Sequence, residues 1–125
     1  MDISIFDVVG PVMIGPSSSH TAGAAALSRV GREIIGEPFT HVSFGLHGSF
    51  ADTGAGHGTD RALVAGALGM RPDDERLRDA FRLAEETGMG YDFHRVELDN
   101  VHENTVQMVF TLLSGRKREI IGSSI

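Results

Sequence analysis

A chain of 125 residues, 41% apolar and 22% charged, has the length and composition of one globular domain, which excludes disorder, collagen and coiled coil. Eleven Lys and Arg against 17 Asp and Glu leave a net charge of −6, so the clustered positive charge that nucleic acid or an anionic membrane requires is missing. The chain has no cysteine, which removes disulfides, a thiol nucleophile and any thiolate-held cluster or zinc from what it can build alone.

The first helix signal follows Ser17-Ser18-Ser19-His20-Thr21, where hydroxyl side chains can cap exposed amides. Ala26, Leu27, Val30 and Ile34 then recur at helical spacing, and Gly36 and Pro38 stop the run. From Phe39 to His47 the period becomes two, with Val42, Phe44 and Leu46 on one face and His41, Ser43 and His47 on the other. Glycine then breaks regular structure from Gly54 to Thr59. A short helix is predicted from Asp60 through Leu68, and another opens at Pro72-Asp73-Asp74 and ends at Gly88. Strands are predicted near His94 to Leu98, from Thr105 to Leu113, and from Glu119 to Ile121. This order gives an α+β two-layer sandwich, with about three helices on one face of a mostly antiparallel sheet. No apolar run is long enough to span a membrane, and Met1-Asp2-Ile3-Ser4 lacks the features of a secretory signal. A cytoplasmic location is therefore expected. The end at Gly122-Ser123-Ser124-Ile125, directly after a strand, suggests that the domain of residues 1–125 is cut short.

Three segments concentrate polar chemistry. Ser17 to Thr21 places hydroxyls, an imidazole and unpaired amides at a helix start, which suits either simple capping or a bound carboxylate or phosphate. His57 stands between Gly56 and Gly58, ahead of Thr59 and Asp60, in a loop that leaves its ring uncovered; it reads as a solvated residue or as one facing a ligand. His102-Glu103-Asn104-Thr105 forms a polar corner before a strand, with a plain turn as its simplest reading. Of His41 and His47, the latter is the better placed to line a site, beside Gly48-Ser49. A metal site built from His20, His57, Asp60 and His102 lacks any helical HExxH spacing, and no GxSxG elbow supports a serine hydrolase.

Gly15-Pro16-Ser17-Ser18-Ser19-His20-Thr21, Gly48-Ser49-Phe50-Ala51, Gly54 through Gly56-His57-Gly58-Thr59-Asp60, and His102-Glu103-Asn104-Thr105 occur in this order. From about residue 4 to 125 the chain resembles the β subunit, or β domain, of bacterial iron–sulfur-dependent L-serine dehydratases. It departs from that pattern at Glu103, where His-Pro-Asn-Thr is expected, and lacks the glycine-rich strand and ACT domain that often follow. The resemblance implies a fold similar to the allosteric substrate-binding domain of phosphoglycerate dehydrogenases. It also implies an enzyme that converts L-serine to pyruvate and ammonia on a four-iron, four-sulfur (4Fe-4S) cluster held by cysteines of an α subunit. The β chain would be inactive alone and would complete the α active site. His20 and His57 would be its catalytic residues, with Ser17, Ser18, Ser19, Thr21, Thr59, Asp60 and Asn104 contacting substrate. An exposed half-site of this kind favours self-association. The alternative is a stand-alone regulatory module that senses serine or another small carboxylate.

Overall fold

In the computed structural model the described residues are 6–15, 19–53 and 58–125. Five strands, β1 (Phe6–Ile14), β2 (Phe39–Gly48), β3 (Gly90–Arg95), β4 (Asn104–Leu112) and β5 (Lys117–Ser124), form one sheet in the order β1-β5-β4-β2-β3. The β4 strand runs antiparallel to both β2 and β5, whereas β1–β5 and β2–β3 pair in parallel. The sheet is therefore mixed rather than mostly antiparallel. The parallel pairs require crossovers, and helices supply them. One of these parallel strands, β1, was not expected: its sequence FDVVGPVMI lacks alternation and shifts register between Val9 and Val12, around Gly10-Pro11.

Four helices accompany the sheet: α1 (His20–Ile35), α2 (Ser49–Thr53), α3 (Thr59–Ala67) and α4 (Ala80–Thr87). The predicted third helix is split, with a 3-10 turn at Glu75–Asp79 before α4. The Asp74 carboxylate caps that turn, and hydrogen bonds from the Arg76 side chain and backbone hold its pKa down to about 2. Gly88 ends α4 in the left-handed conformation, as the sequence indicated.

Alternation places Val42, Phe44, Leu46, Val106, Met108, Phe110 and Ile120 under the helices, and each of them is buried. Phe93 stacks on Phe44, and Phe81 of α4 stacks on Tyr91, extending the core across β3. On α1 the buried residues are Gly23, Ala24, Ala25, Leu27, Ser28, Gly31 and Ile35, while Ile34 is 37% exposed. Small residues are selected there because α3 packs backbone to backbone: a Cβ on Gly66 would lie 2.3 Å from the Ala25 carbonyl oxygen. The Ser28 hydroxyl donates to the Leu63 carbonyl at 2.6 Å, and Arg32 donates to that of Ala67 at 2.9 Å, tying the two helices along their length.

The opposite sheet face is polar. Asp92 there accepts from Ser43 at 2.7 Å and meets His41 Nε2 at 2.6 Å. Partial burial raises the Asp92 pKa, but these hydrogen bonds outweigh it and hold the carboxyl below its ordinary value. A depressed folded-state pKa contributes stability above the unfolded value, and that contribution is lost as pH falls through the folded one. Ser43→Ala is expected to return the Asp92 titration, followed by carboxyl carbon NMR, upward toward the free value; an unmoved titration would discount the Ser43 bond. Among the described residues no helix is long and apolar enough to cross a membrane.

Candidate functional site

The sheet register brings the polar segments to one end of the molecule. Gly48 at the end of β2 pairs with Asn104 at the start of β4, and Thr105 pairs with Ser123 near the end of β5. Beyond β1, whose last residue Ile14 pairs with Ser124, the chain reaches α1 at this same end. Tight packing of α1 on α3 then sets their first turns together. A Cβ on Gly58 would lie 3.5 Å from Thr21 Oγ1, so the start of α3 touches the start of α1. The first turns of the two helices that follow the serine-rich and glycine-rich segments are thus neighbours. Ser17, Ser18 and His57 themselves lie outside the described residues.

Each remaining candidate has a definite environment. Ser19 is the N-cap of α1, accepting from the Ala22 amide at 3.1 Å, so its hydroxyl does the capping work. His20, exposed on the first turn, lays its ring at 67° to Phe50 with centroids 5.7 Å apart. The cap of α3 is Gly58 in the left-handed conformation, and α3 starts at Thr59, one residue before the predicted Asp60. Asp60 accepts from the next amide, Arg61, at 2.7 Å. Thr59 is 1% exposed and its Oγ1 has no partner among the described residues. Asn104 Oδ1 is likewise buried without a partner among the described residues. A buried polar oxygen without a partner is costly, and a bound water or ligand group would satisfy it.

His47 and His102 each accept a backbone hydrogen bond. His47 Nδ1 accepts from the Leu98 amide at 3.2 Å, fastening the segment after β3; it does not line a site by that nitrogen. His102 Nδ1 accepts from the Asn104 amide at 3.1 Å, and Thr105 Oγ1 donates to the His102 carbonyl at 2.6 Å, so these two bonds close the turn and leave the Asn104 side-chain oxygen outside them. No group of three His, Cys, Asp or Glu side chains poised for a metal occurs among the described residues. A cleft of about 680 Å³ opens at the opposite end of the molecule, lined among others by Gly36, Phe39, Leu68, Gly88 and Leu113. It holds none of the sequence-predicted site residues.

Contacts that sequence reasoning missed lie between two of its own motifs. The Ser49 amide and hydroxyl both donate to Glu103, to its carbonyl at 3.1 Å and its Oε2 at 3.0 Å. No local signal links residues 54 apart in the chain.

A family model described as serine dehydratase beta chain matches residues 4–107. The chain belongs to that family. Among curated members it is 51% identical over 125 residues to the L-serine dehydratase beta chain of Peptoniphilus asaccharolyticus, covering 99% of this chain and 56% of that one. It is 43% identical over 122 residues to the probable L-serine dehydratase beta chain of Bacillus subtilis, covering 98% and 55% respectively. The L-serine dehydratase of Streptomyces coelicolor matches at 34% over 111 residues, 82% of this chain but 23% of the relative. The chain thus spans about half the length of the two beta chains it matches. In the Streptomyces protein the matched region is a minor part of a longer polypeptide.

Proposed function

We propose that this chain is the non-cluster-bearing β component of an L-serine dehydratase, which closes over an α active site and contributes contacts to L-serine. One observation carries the reading: Thr21 abuts Gly58, and the neighbouring Thr59 hydroxyl is buried without a partner among the described residues. The first turns of α1 and α3 present amides and the positive ends of their dipoles to one place, which favours the carboxylate of an amino-acid substrate. The Thr59 and Asn104 oxygens then offer acceptors for the ammonium or hydroxyl group. His20, and His57 directly before Gly58 in sequence, are the groups able to hold or move a proton beside it.

The 4Fe-4S cluster of such an enzyme supplies a Lewis-acidic iron for the substrate hydroxyl. This chain has no cysteine, so its residues do not fit the cluster's thiolate ligand set. The cluster is assigned to the α chain. An exposed half-site of this kind also accounts for separate and fused arrangements, since a partner region must complete it in either.

The test is reconstitution. The cysteine-bearing α chain is expected to deaminate L-serine only when this chain is added, with activity saturating at a fixed stoichiometry. Equal activity of the α chain alone would overturn the reading. The regulatory-module alternative rests on the same amides, and calorimetric titration of this chain alone separates the two. No heat with L-serine up to millimolar concentration fits a half-site; saturable binding fits a sensor.

A further inference from the structure

We propose that Phe50 is a positioning residue that sets the orientation of the His20 ring, and that α2 exists to hold it there. The inference rests on the reading of His20 as an active-site group. The backbone of α1 fixes only the Cα of His20; as an exposed first-turn side chain its ring is otherwise free to turn. Its one aromatic neighbour among the described residues is Phe50, at 5.7 Å and 67°, an edge geometry with a definite orientational preference. Phe50 is 0% exposed, so it is itself immobilised.

The five residues of α2 are too few to form a stable helix unaided. Tertiary ties hold them instead. Gly48 turns the chain out of β2 at φ 58°, and a Cβ there would fall 2.4 Å from the Glu103 carbonyl oxygen. Ser49 donates twice to Glu103, and Asp52 near the other end of α2 pairs with Arg95 at 3.0 Å. The path Glu103–Ser49–Phe50–His20 thus joins the polar corner before β4 to the helix start of the candidate site. A glutamate at position 103 matters in it, since its carboxylate accepts one of the two Ser49 bonds.

A filler of the core would affect stability alone, whereas a positioning residue also changes what it positions. In this chain, proton NMR is expected to give nuclear Overhauser contacts between the His20 and Phe50 rings and ring-current-shifted His20 signals. Phe50→Leu should abolish both. With the α chain added, it should lower kcat per folded protein roughly tenfold with KM within about twofold. Ser49→Ala leaves the core intact and should move the same His20 signals partway, with about a threefold loss of kcat; it decides the matter if Phe50→Leu does not fold. Unmoved His20 signals, or wild-type kcat despite moved signals, would overturn the positioning role. His20→Ala separates the failures: if it keeps full turnover, the reading of His20 falls and this inference with it. If His20→Ala is inactive and both other variants turn over normally, only the positioning role falls.

Discussion

Replacing His20 with alanine is expected to lower kcat of the reconstituted enzyme by about 100-fold or more, the usual scale for a lost acid–base group. The Tm of the chain should move by no more than about 3 °C, less than a 1 kcal/mol change produces in a domain this size. The asymmetry follows from place. His20 is exposed, one residue inside the cap that Ser19 supplies, and alanine is the better helix former. Removing its ring leaves Phe50 buried in the core and breaks no hydrogen bond to the helix. Ser19→Ala is the complementary control: it costs about 1 kcal/mol by releasing the Ala22 amide, with the imidazole still present. Thermal melts and initial rates on the two variants should therefore rank oppositely. Parallel losses of stability and turnover in His20→Ala would make the histidine structural.

Gly66→Ala is expected to destabilise the domain by about 3 kcal/mol or more, the severe end of overpacking. The added Cβ would meet the Ala25 carbonyl oxygen at 2.3 Å, Ser28 Cβ at 2.8 Å and the Arg29 nitrogen at 2.9 Å. Two of these are backbone atoms of α1, which cannot yield without separating the helices. The same displacement would break the Ser28–Leu63 bond and draw Thr21 away from Gly58, so turnover should fall with stability. Gly31→Ala is the internal contrast, because its nearest neighbour is the mobile end of Met108, Cε at 3.0 Å. Alanine's helix propensity offsets that crowding, and a net change within about 1 kcal/mol is expected. Urea denaturation of the pair checks the claim: equal midpoints would mean the helices are not in backbone contact at Gly66.

Much of the fold can be read locally. The β2 and β4 patterns bury one face by simple alternation, and Gly36 and Gly88 end their helices as glycine should. What failed locally failed for identifiable reasons. Because β1 is paired in parallel with β5 and interrupted by Gly10-Pro11, it shows no period of two. The buried stripe of α1 follows small residues instead of large ones, because its partner is a helix backbone as well as a sheet.

The sequence by itself determined the family, the polar motifs and the absence of thiolate ligands, because each is written in residue identity and order. Only the tertiary structure decided which of those motifs share a location and which merely close a turn. The Thr21–Gly58 contact, the Ser49–Glu103 tie and the Phe50–His20 ring pair join residues far apart in the chain, through parallel strand crossovers and a glycine-mediated helix contact. Proximity of that kind depends on how whole elements pack, and no window of neighbouring residues encodes it.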